Sequence, residues 1–185
     1  MTRFLSALPL AFAAGLAFAA AARAEMTLTS ADMTEGGTLK VDQVFNGFGC
    51  EGGNQSPDLA WSGAPEGTGS FVLTAYDPDA PTGSGWWHWT IFNLPADTTG
   101  VSVGAGSGMA PLPEGAVQGR TDFGQPGFGG ACPPQGDAPH HYVFTLYALK
   151  VANLGLDENA SGAMVGFMAK ANAIEVVTLT ATYGR

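Results

Sequence analysis

Residues 76–95 constrain the fold more than any other part of the chain. They read Y-D-P-D-A-P-T-G-S-G-W-W-H-W-T-I-F-N-L-P. Proline holds φ at about −65° and restricts the residue before it, so Asp77 and Asp79 lie on a stiff corner. The T-G-S-G segment is typical of a chain reversal. The alternation that follows predicts a β-strand over residues 86–94, leaving this corner.

Two further expectations concern this stretch. Strict alternation divides the strand between two faces, with His88, Thr90 and Phe92 on one and Trp87, Trp89 and Ile91 on the other. The corner contains two X-Pro bonds within five residues, Asp77-Pro78 and Ala80-Pro81. Because cis proline is a common device in tight turns, we expect one of these bonds to be cis, preferably the bond before Pro81.

The rest of the chain consists of short segments separated by Gly, Pro, Asn and Asp. Strand patterns cover residues 26–30, 38–45, 59–61, 70–76, 140–150 and 173–183. Residues 161–172 predict one helix, whose core-facing side is expected to carry Met164, Phe167, Met168 and Ala171. Residues 100–130 predict a long, packed surface loop. Many short strands and one late helix predict a mainly β protein, an antiparallel β-sandwich with a helical appendage.

The first 24 residues differ in composition from the remainder. Arg3 precedes an almost wholly apolar run, and A-R-A at residues 22–24 fits a small-x-small cleavage site. This pattern is typical of a secretory signal peptide cleaved after Ala24. Residues 25–185 then form a single domain without a transmembrane segment, and we expect a secreted, periplasmic protein. An uncleaved membrane anchor is the alternative.

The charge of the chain excludes one class of partner. The formal net charge is −9, and cleavage would remove Arg3 and Arg23 and make it more negative. The basic stripe that nucleic-acid binding needs is absent from the sequence, so we expect no nucleic-acid partner.

Cys50 and Cys132 are the two cysteines of the chain. An exported chain with an even count favours a disulfide between them, with two free thiols as the alternative.

The three histidines all lie where predicted strands meet loops rich in Gly and Pro. If the two strands are neighbours, His88 and His140 can converge with Asp77 at one rim. Tyr142 lies two residues beyond His140 and points the same way. A carboxylate beside an imidazole orients the ring and favours its protonated form. We therefore expect a small anion pocket whose affinity falls as the pH rises, with His141 on the opposite face of the strand.

Catalytic signatures are lacking in the sequence. It contains no G-x-S-x-G elbow and no phosphate loop opening a helix, so we expect no catalytic residues, no cofactor and no enzymatic activity. Two histidines with a carboxylate could in principle bind a metal, although their spacing is not diagnostic. A metal-dependent enzyme is therefore kept as an alternative.

Several motifs occur in a fixed order, namely N-Q-S-P at 54–57, D-P-D-A-P at 77–81, G-W-W-H-W at 85–89, C-P-P at 132–134 and P-H-H-Y-V-F at 139–144. Together they resemble the phosphatidylethanolamine-binding protein family in its bacterial Raf-kinase-inhibitor-like branch. The resemblance implies a Greek-key β-sandwich with a pocket for anions such as the phosphate of a phosphoethanolamine head group. It implies ligand binding by Asp77, His88, His140 and Tyr142, and we expect Asp79, Pro81 and Trp87 to support this site.

The chain departs from the family pattern at one position. The family's arginine after the second histidine is His141 here, which removes a permanent cation. Members of the family include head-group binders, kinase regulators and protease inhibitors, so the resemblance alone does not assign a function. We expect an exported binding protein for a small anion or phospholipid head group. The first alternative is an inhibitor or regulator of a protein partner, acting through the pocket rim and residues 100–130.

Overall fold

A computed structural model describes residues 25–185, and the expected signal peptide, residues 1–24, lies outside the described residues. The strands are β1 (Thr27–Thr29), β2 (Gly37–Thr38), β3 (Asn46–Gly47), β4 (Cys50–Glu51), β5 (Leu59–Ser62), β6 (Ser70–Asp77), β7 (Trp86–Pro95), β8 (Gly100–Val101), β9 (Val117–Gln118), β10 (His140–Leu149) and β11 (Ala173–Tyr183). Helix α1 spans Gly162–Asn172, and short 3-10 turns cover Val41–Gln43 and Ala105–Ser107.

The strands form one large sheet, one small sheet and a separate hairpin of β3 and β4. The large sheet has the order β2-β11-β10-β6-β7-β9, and the small sheet has the order β1-β5-β8. Pairing is antiparallel except between β2 and β11. Apolar residues of the two sheets pack face to face in one core, including Leu28 and Trp61 from the small sheet and Phe71, Ile91 and Leu146 from the large sheet. The structure thus confirms a mainly β sandwich with a helix near the C-terminus.

Helix α1 covers the other face of the large sheet, but with a different side from the one expected. Met164 and Phe167 are exposed, Phe167 by 68%. The buried side carries Val165 and Ala169, with Met168 partly buried beside them, so Met168 alone of the four expected residues packs against the sheet. The spacing of Met164 and Phe167 was misleading because glycines on the buried side bring the helix close to the sheet.

A β-bulge in β7 corrects the expected division of that strand. Ala75 pairs with Trp89 and Tyr76 with Trp87, which leaves His88 without a partner in β6. An extra residue of this kind reverses the alternation beyond it. The structure therefore places His88 on the same face as Trp89, whereas alternation alone had put it with Thr90 and Phe92.

Two local expectations are wrong. All peptide bonds in residues 25–185 are trans, including both in the D-P-D-A-P corner. The corner turns without a cis bond because the Asp77 carboxylate accepts hydrogen bonds from the next two N–H groups. The strand expected at residues 38–45 is replaced after Thr38 by irregular backbone and the 3-10 turn at Val41–Gln43. The backbone of residues 41–45 bonds to residues 52–55 and Ala131 instead of a long neighbouring strand.

The expected loop over residues 100–130 contains β8, a 3-10 turn and β9, and its backbone is pinned to the sandwich at several points. Within residues 25–185, no helix combines the length and apolar character needed to cross a membrane.

Candidate functional site

Asp77 ends β6 and forms the base of the site. Its Oδ1 accepts hydrogen bonds from the N–H groups of Asp79, at 2.8 Å, and Ala80, at 3.1 Å. Its Oδ2 lies 2.7 Å from Nδ1 of His140. Because both oxygens of this buried carboxylate are engaged, Asp77 orients its neighbours and is not placed to contact an anion directly.

His140 begins β10, and β10 lies directly beside β6. This adjacency explains how residues separated by 63 positions form a buried hydrogen bond. The other ring nitrogen, Nε2, lies 3.5 Å from a carboxylate oxygen of Asp137, a half-exposed loop residue. A carboxylate thus faces each ring nitrogen of His140.

His88 lies across the site from His140, at the bulge of β7. Its Nδ1 is 2.7 Å from the carbonyl oxygen of Gly129. The ring is only 4% exposed, and this burial lowers the pKa of His88, outweighing the opposing effects of Gly129 and the Asp77 carboxylate. His88 is therefore a neutral ring, in contrast to the expectation that both histidines would carry charge.

Tyr142 completes the group from the second inward position of β10. Its ring packs edge-on against that of His88, with centroids 5.1 Å apart. Burial raises the pKa of the Tyr142 hydroxyl, which therefore keeps its proton. The structure brings together the four residues expected to bind a ligand. Asp77, His88, His140 and Tyr142 all line one cavity of about 220 Å³.

Aromatic side chains form the mouth of this cavity, and they were not assigned to the site from the sequence. Phe48 and Phe123 stack with ring centroids 5.9 Å apart, and Trp86 packs edge-on against Phe123. All three line the cavity, together with Pro81, Pro133 and Pro134. Phe48 is 70% exposed, so the mouth presents an apolar edge to solvent. Strand alternation gave a signal for Trp86, which lies two residues before His88, but none for the two phenylalanines.

The three residues expected to support the site have different positions. Pro81 lines the cavity. Trp87 lies on the opposite face of the sheet, where its ring packs against Gly162 and Gly166 of α1. Asp79 is bonded outside the cavity to His141, through both the backbone N–H at 2.8 Å and Nδ1 at 2.7 Å. These bonds lower the pKa of Asp79. The side chain of His141 is thus exposed and directed away from the other histidines, as alternation predicted.

The loop that carries Gly129 is held in place by the N-Q-S-P motif. Asn54 has a positive φ of 47°. Its Oδ1 accepts a hydrogen bond from the N–H of Gly130 at 2.7 Å, and its Nδ2 donates to the carbonyl of Phe128. A Cβ at Gly130 would overlap the backbone of residues 43–45. Asn54 therefore positions the carbonyl that orients His88, a role that the motif alone did not indicate.

Covalent and polar contacts tie the rim of the cavity together. Cys50 and Cys132 form the predicted disulfide, which joins β4 to the C-P-P segment. The guanidinium of Arg185 donates to the carbonyl oxygens of Pro133, at 2.7 Å, and Gly49, at 2.8 Å. The rim segments, which are distant in sequence, are thereby held against one another.

The charge of the cavity comes from few groups. Among the described residues that line it, none is lysine or arginine. The hydrogen-bond donors for an anion must therefore be His140 and oriented N–H and O–H groups.

The metal alternative would need a group of ligating side chains. Within residues 25–185, no three side chains of His, Cys, Asp or Glu are grouped as metal ligands.

Comparisons with known proteins identify the family of this chain. Residues 29–184 match the model of the family described as "Phosphatidylethanolamine-binding protein". The chain is 57% identical over 161 residues to the UPF0098 protein YbcL of Escherichia coli, covering 86% of this chain and 88% of YbcL. It is 51% identical over 158 residues to the E. coli UPF0098 protein YbhB, covering 85% of this chain and 99% of YbhB.

Solved structures show the same fold. The crystal structure of E. coli YbcL, described as a new member of the mammalian PEBP family, superposes with a TM-score of 0.85 over 88% of this chain and 99% of that chain. A phosphatidylethanolamine-binding protein from Plasmodium vivax, 14% identical, superposes with a TM-score of 0.57 over 86% of this chain and 85% of that chain, a likeness of fold alone. The match over residues 29–184 and the identity to YbcL and YbhB show that the chain belongs to the phosphatidylethanolamine-binding protein family.

Proposed function

We propose that this is an exported protein that binds a small anion of the phosphate or phosphoethanolamine type and has no catalytic activity of its own. The observation that carries the proposal is the convergence of Asp77, His88, His140 and Tyr142 on one small cavity. The cavity is buried at its base and open at an aromatic mouth, which suits a ligand with a polar head and an attached carbon chain.

His140 and Tyr142 supply the hydrogen-bond donors in this proposal. The Asp77 carboxylate lies 2.7 Å from Nδ1 of His140, so the ring is oriented and its Nε2 is directed to a ligand in the cavity. The nearby carboxylate of Asp137 lies 3.5 Å from Nε2 on a half-exposed loop residue, and an anion would displace it. The Tyr142 hydroxyl provides a second donor within the cavity.

The aromatic mouth favours a particular extension of the ligand. Phe48, Trp86 and Phe123 line the cavity on its outer side. Aromatic faces attract ammonium groups as well as apolar chains. An ethanolamine group attached to a bound phosphate would meet such a surface, which supports a phosphoethanolamine-type ligand over bare phosphate.

Export is supported by two features. The apolar run in the first 24 residues and its A-R-A cleavage site are typical of a signal peptide. The Cys50–Cys132 disulfide belongs to an oxidising compartment such as the periplasm.

Titration calorimetry with phosphoethanolamine tests the binding proposal. At pH 6, His140→Ala should weaken binding by about 1.5–3 kcal/mol, the usual range for a hydrogen bond to a charged group. His141→Ala is the matched control and should have a much smaller effect, because His141 lies outside the cavity. Binding by the unaltered protein should weaken from pH 6 to pH 8.5, since an imidazolium loses its charge over that range. An equal loss from both substitutions would contradict the proposal.

Regulation of a protein partner is a second candidate. The exposed apolar residues Phe48, Val103 and Met109 support it, since they lie on the cavity rim and on the 100–130 segment. Assays of protease or kinase inhibition with the unaltered protein and Phe48→Ser test this candidate. Inhibition that survives Phe48→Ser unchanged would count against the rim as the contact surface. Elemental analysis of the purified protein tests the metal-enzyme alternative, which requires stoichiometric metal.

A further inference from the structure

The orientation of the His88 ring determines which kind of hydrogen bond it can offer a ligand. Its Nδ1 lies 2.7 Å from the carbonyl oxygen of Gly129, and the N–H of Gly129 donates back to the carbonyl of His88 at 2.9 Å. A carbonyl oxygen can only accept, so Nδ1 must carry the hydrogen. In a neutral ring, Nε2 then holds a lone pair and can act only as an acceptor.

Several groups around His88 could alter its charge. The carboxylates of Asp77 and Asp122 favour the protonated ring, while His140 and Tyr142 face it from β10. The Asp77 carboxylate is already hydrogen-bonded to His140 and to the N–H groups of the turn. The Asp122 carboxylate accepts a hydrogen bond from the N–H of Trp87 at 2.8 Å. Burial outweighs these carboxylates and lowers the pKa of His88, so the ring is neutral near neutral pH.

The second ring nitrogen is buried and unsatisfied. Within residues 25–185, Nε2 of His88 and the hydroxyl of Tyr142 have no hydrogen-bond partner. Both side chains line the cavity. Leaving buried polar groups unpaired is costly, which favours a ligand that pairs with them. The hydroxyl can donate or accept, whereas Nε2 needs a donor, so the complementary ligand must bring a hydrogen of its own.

We propose that the pocket selects the monoprotonated form of a phosphate monoester, whose P–OH donates to Nε2 of His88 while its other oxygens accept from Tyr142 and His140. The inference rests on the proposed function and specifies the ligand's protonation state. A sulfate ester of the same shape has no such proton near neutral pH, and neither does a phosphodiester. Selection therefore favours a free monoester over the diester linkage of an intact phospholipid.

Calorimetry with matched ligands tests this selection on the unaltered protein. Phosphoethanolamine and ethanolamine O-sulfate carry the same ammonium group and meet the same protein charges, so the ratio of their affinities reports chiefly the acid proton. At pH 6 we expect the phosphate ester to bind at least about tenfold more tightly, the equivalent of one buried hydrogen bond. Glycerophosphoethanolamine, a diester, should be weaker than phosphoethanolamine by a similar factor.

The pH dependence of the ratio provides an independent check. The second pKa of a phosphate ester is about 6, so the monoprotonated form declines about tenfold per pH unit well above that value. Because that form falls about a hundredfold between pH 6 and pH 8.5, the ratio should fall to one or below by pH 8.5. A sulfate ester or diester that binds as tightly as phosphoethanolamine at pH 6, or a ratio independent of pH, would overturn the inference. Failure of all three ligands to bind would instead overturn the proposed function.

A substitution at His88 extends the test. His88→Gln places an amide that can donate where Nε2 only accepts, and it should reduce the preference for phosphate over sulfate ester. His141→Asn is the control and should leave the ratio unchanged. Thermal unfolding establishes whether each variant is folded. A folded His88→Gln protein that keeps the full preference would overturn the inference, and the ratio in the unaltered protein decides the question even if this variant does not fold.

Discussion

The His88 ring lies among aromatic groups, and its burial lowers the pKa of the imidazole below the value of 6.5 that it has in an exposed state. The unfolded chain therefore takes up a proton at this ring at a pH where the folded chain does not. The resulting stability is present above about pH 6.5 and is lost as the pH falls through and below that value. We expect the free energy of unfolding in urea to fall by about 1 kcal/mol more between pH 7.5 and pH 5 in the unaltered protein than in His88→Gln.

A control separates this effect from other titrations. His141→Asn removes an exposed ring and should keep most of the loss seen in the unaltered protein. The lowered pKa of Asp79 affects stability in a different pH range. The stability that this carboxylate contributes is lost only as the pH falls below the ordinary carboxyl value of 3.8. If His88→Gln shows the same loss between pH 7.5 and pH 5 as the unaltered protein, the folded ring is not neutral.

Individual site residues differed in how far the sequence could predict them. Asp77, His140 and Tyr142 were predictable because a rigid corner and a regular strand determine their directions. Trp87 was assigned to the site in place of Trp86, although alternation from His88 indicated Trp86. Phe48 and Phe123 reach the cavity through irregular loops, whose course depends on long-range contacts that no local pattern encodes.

The contact between α1 and β7 requires glycine, which has no side chain, at two positions of the helix. A Cβ at Gly162 would overlap the ring of Trp87, and one at Gly166 would lie 3.0 Å from it. Gly162→Ala should therefore lower the free energy of unfolding by about 1–3 kcal/mol, the usual effect of overpacking, even though alanine favours helix. Urea denaturation followed by circular dichroism measures this change.

A compensating substitution distinguishes a steric effect from a change in helix propensity. Trp87→Leu provides space beneath the helix, so Gly162→Ala should cost much less in that background than in the unaltered protein. Val165→Ala is a comparison variant that removes buried apolar contact without overlap, and its cost should not depend on Gly162. An equal cost of Gly162→Ala in both backgrounds would contradict the proposed overlap.

The same elements show what the sequence could predict about the fold. β6, β10 and β11 were placed to within about a residue, because long apolar or alternating runs bounded by turns define such strands. The buried side of α1 was wrong because glycines determined how close it packs. The strand expected at residues 38–45 was wrong because only Thr38 lies in β2, which pairs with β11, whereas residues 41–45 bond to residues 52–55 and Ala131.

At the scale of the whole molecule, the disulfide joins two rim segments that are 82 residues apart in the sequence. Replacing both Cys50 and Cys132 by serine should lower the free energy of unfolding by about 2–5 kcal/mol. It should also weaken phosphoethanolamine binding, because Cys132 and the neighbouring Pro133 line the cavity. Urea denaturation and calorimetry measure the two effects.

Reductant provides the control for this prediction. Reduction should destabilise the unaltered protein and leave the doubly substituted protein unaffected. Should the substituted protein bind phosphoethanolamine with unchanged affinity, the rim would be held by other contacts, such as those of Arg185, and the disulfide would serve stability alone.

We propose that one cavity, lined by Asp77, His88, His140 and Tyr142, binds a small phosphate-type anion. Nitrogen-15 NMR of the side-chain rings tests it most directly, because the chain contains three histidines and each ring can be assigned by substitution. On addition of phosphoethanolamine at pH 6, we expect shifts of the His88 and His140 ring nitrogens with little change at His141. Absence of any shift at saturating ligand, or a shift confined to His141, would show that the ligand does not bind in this cavity.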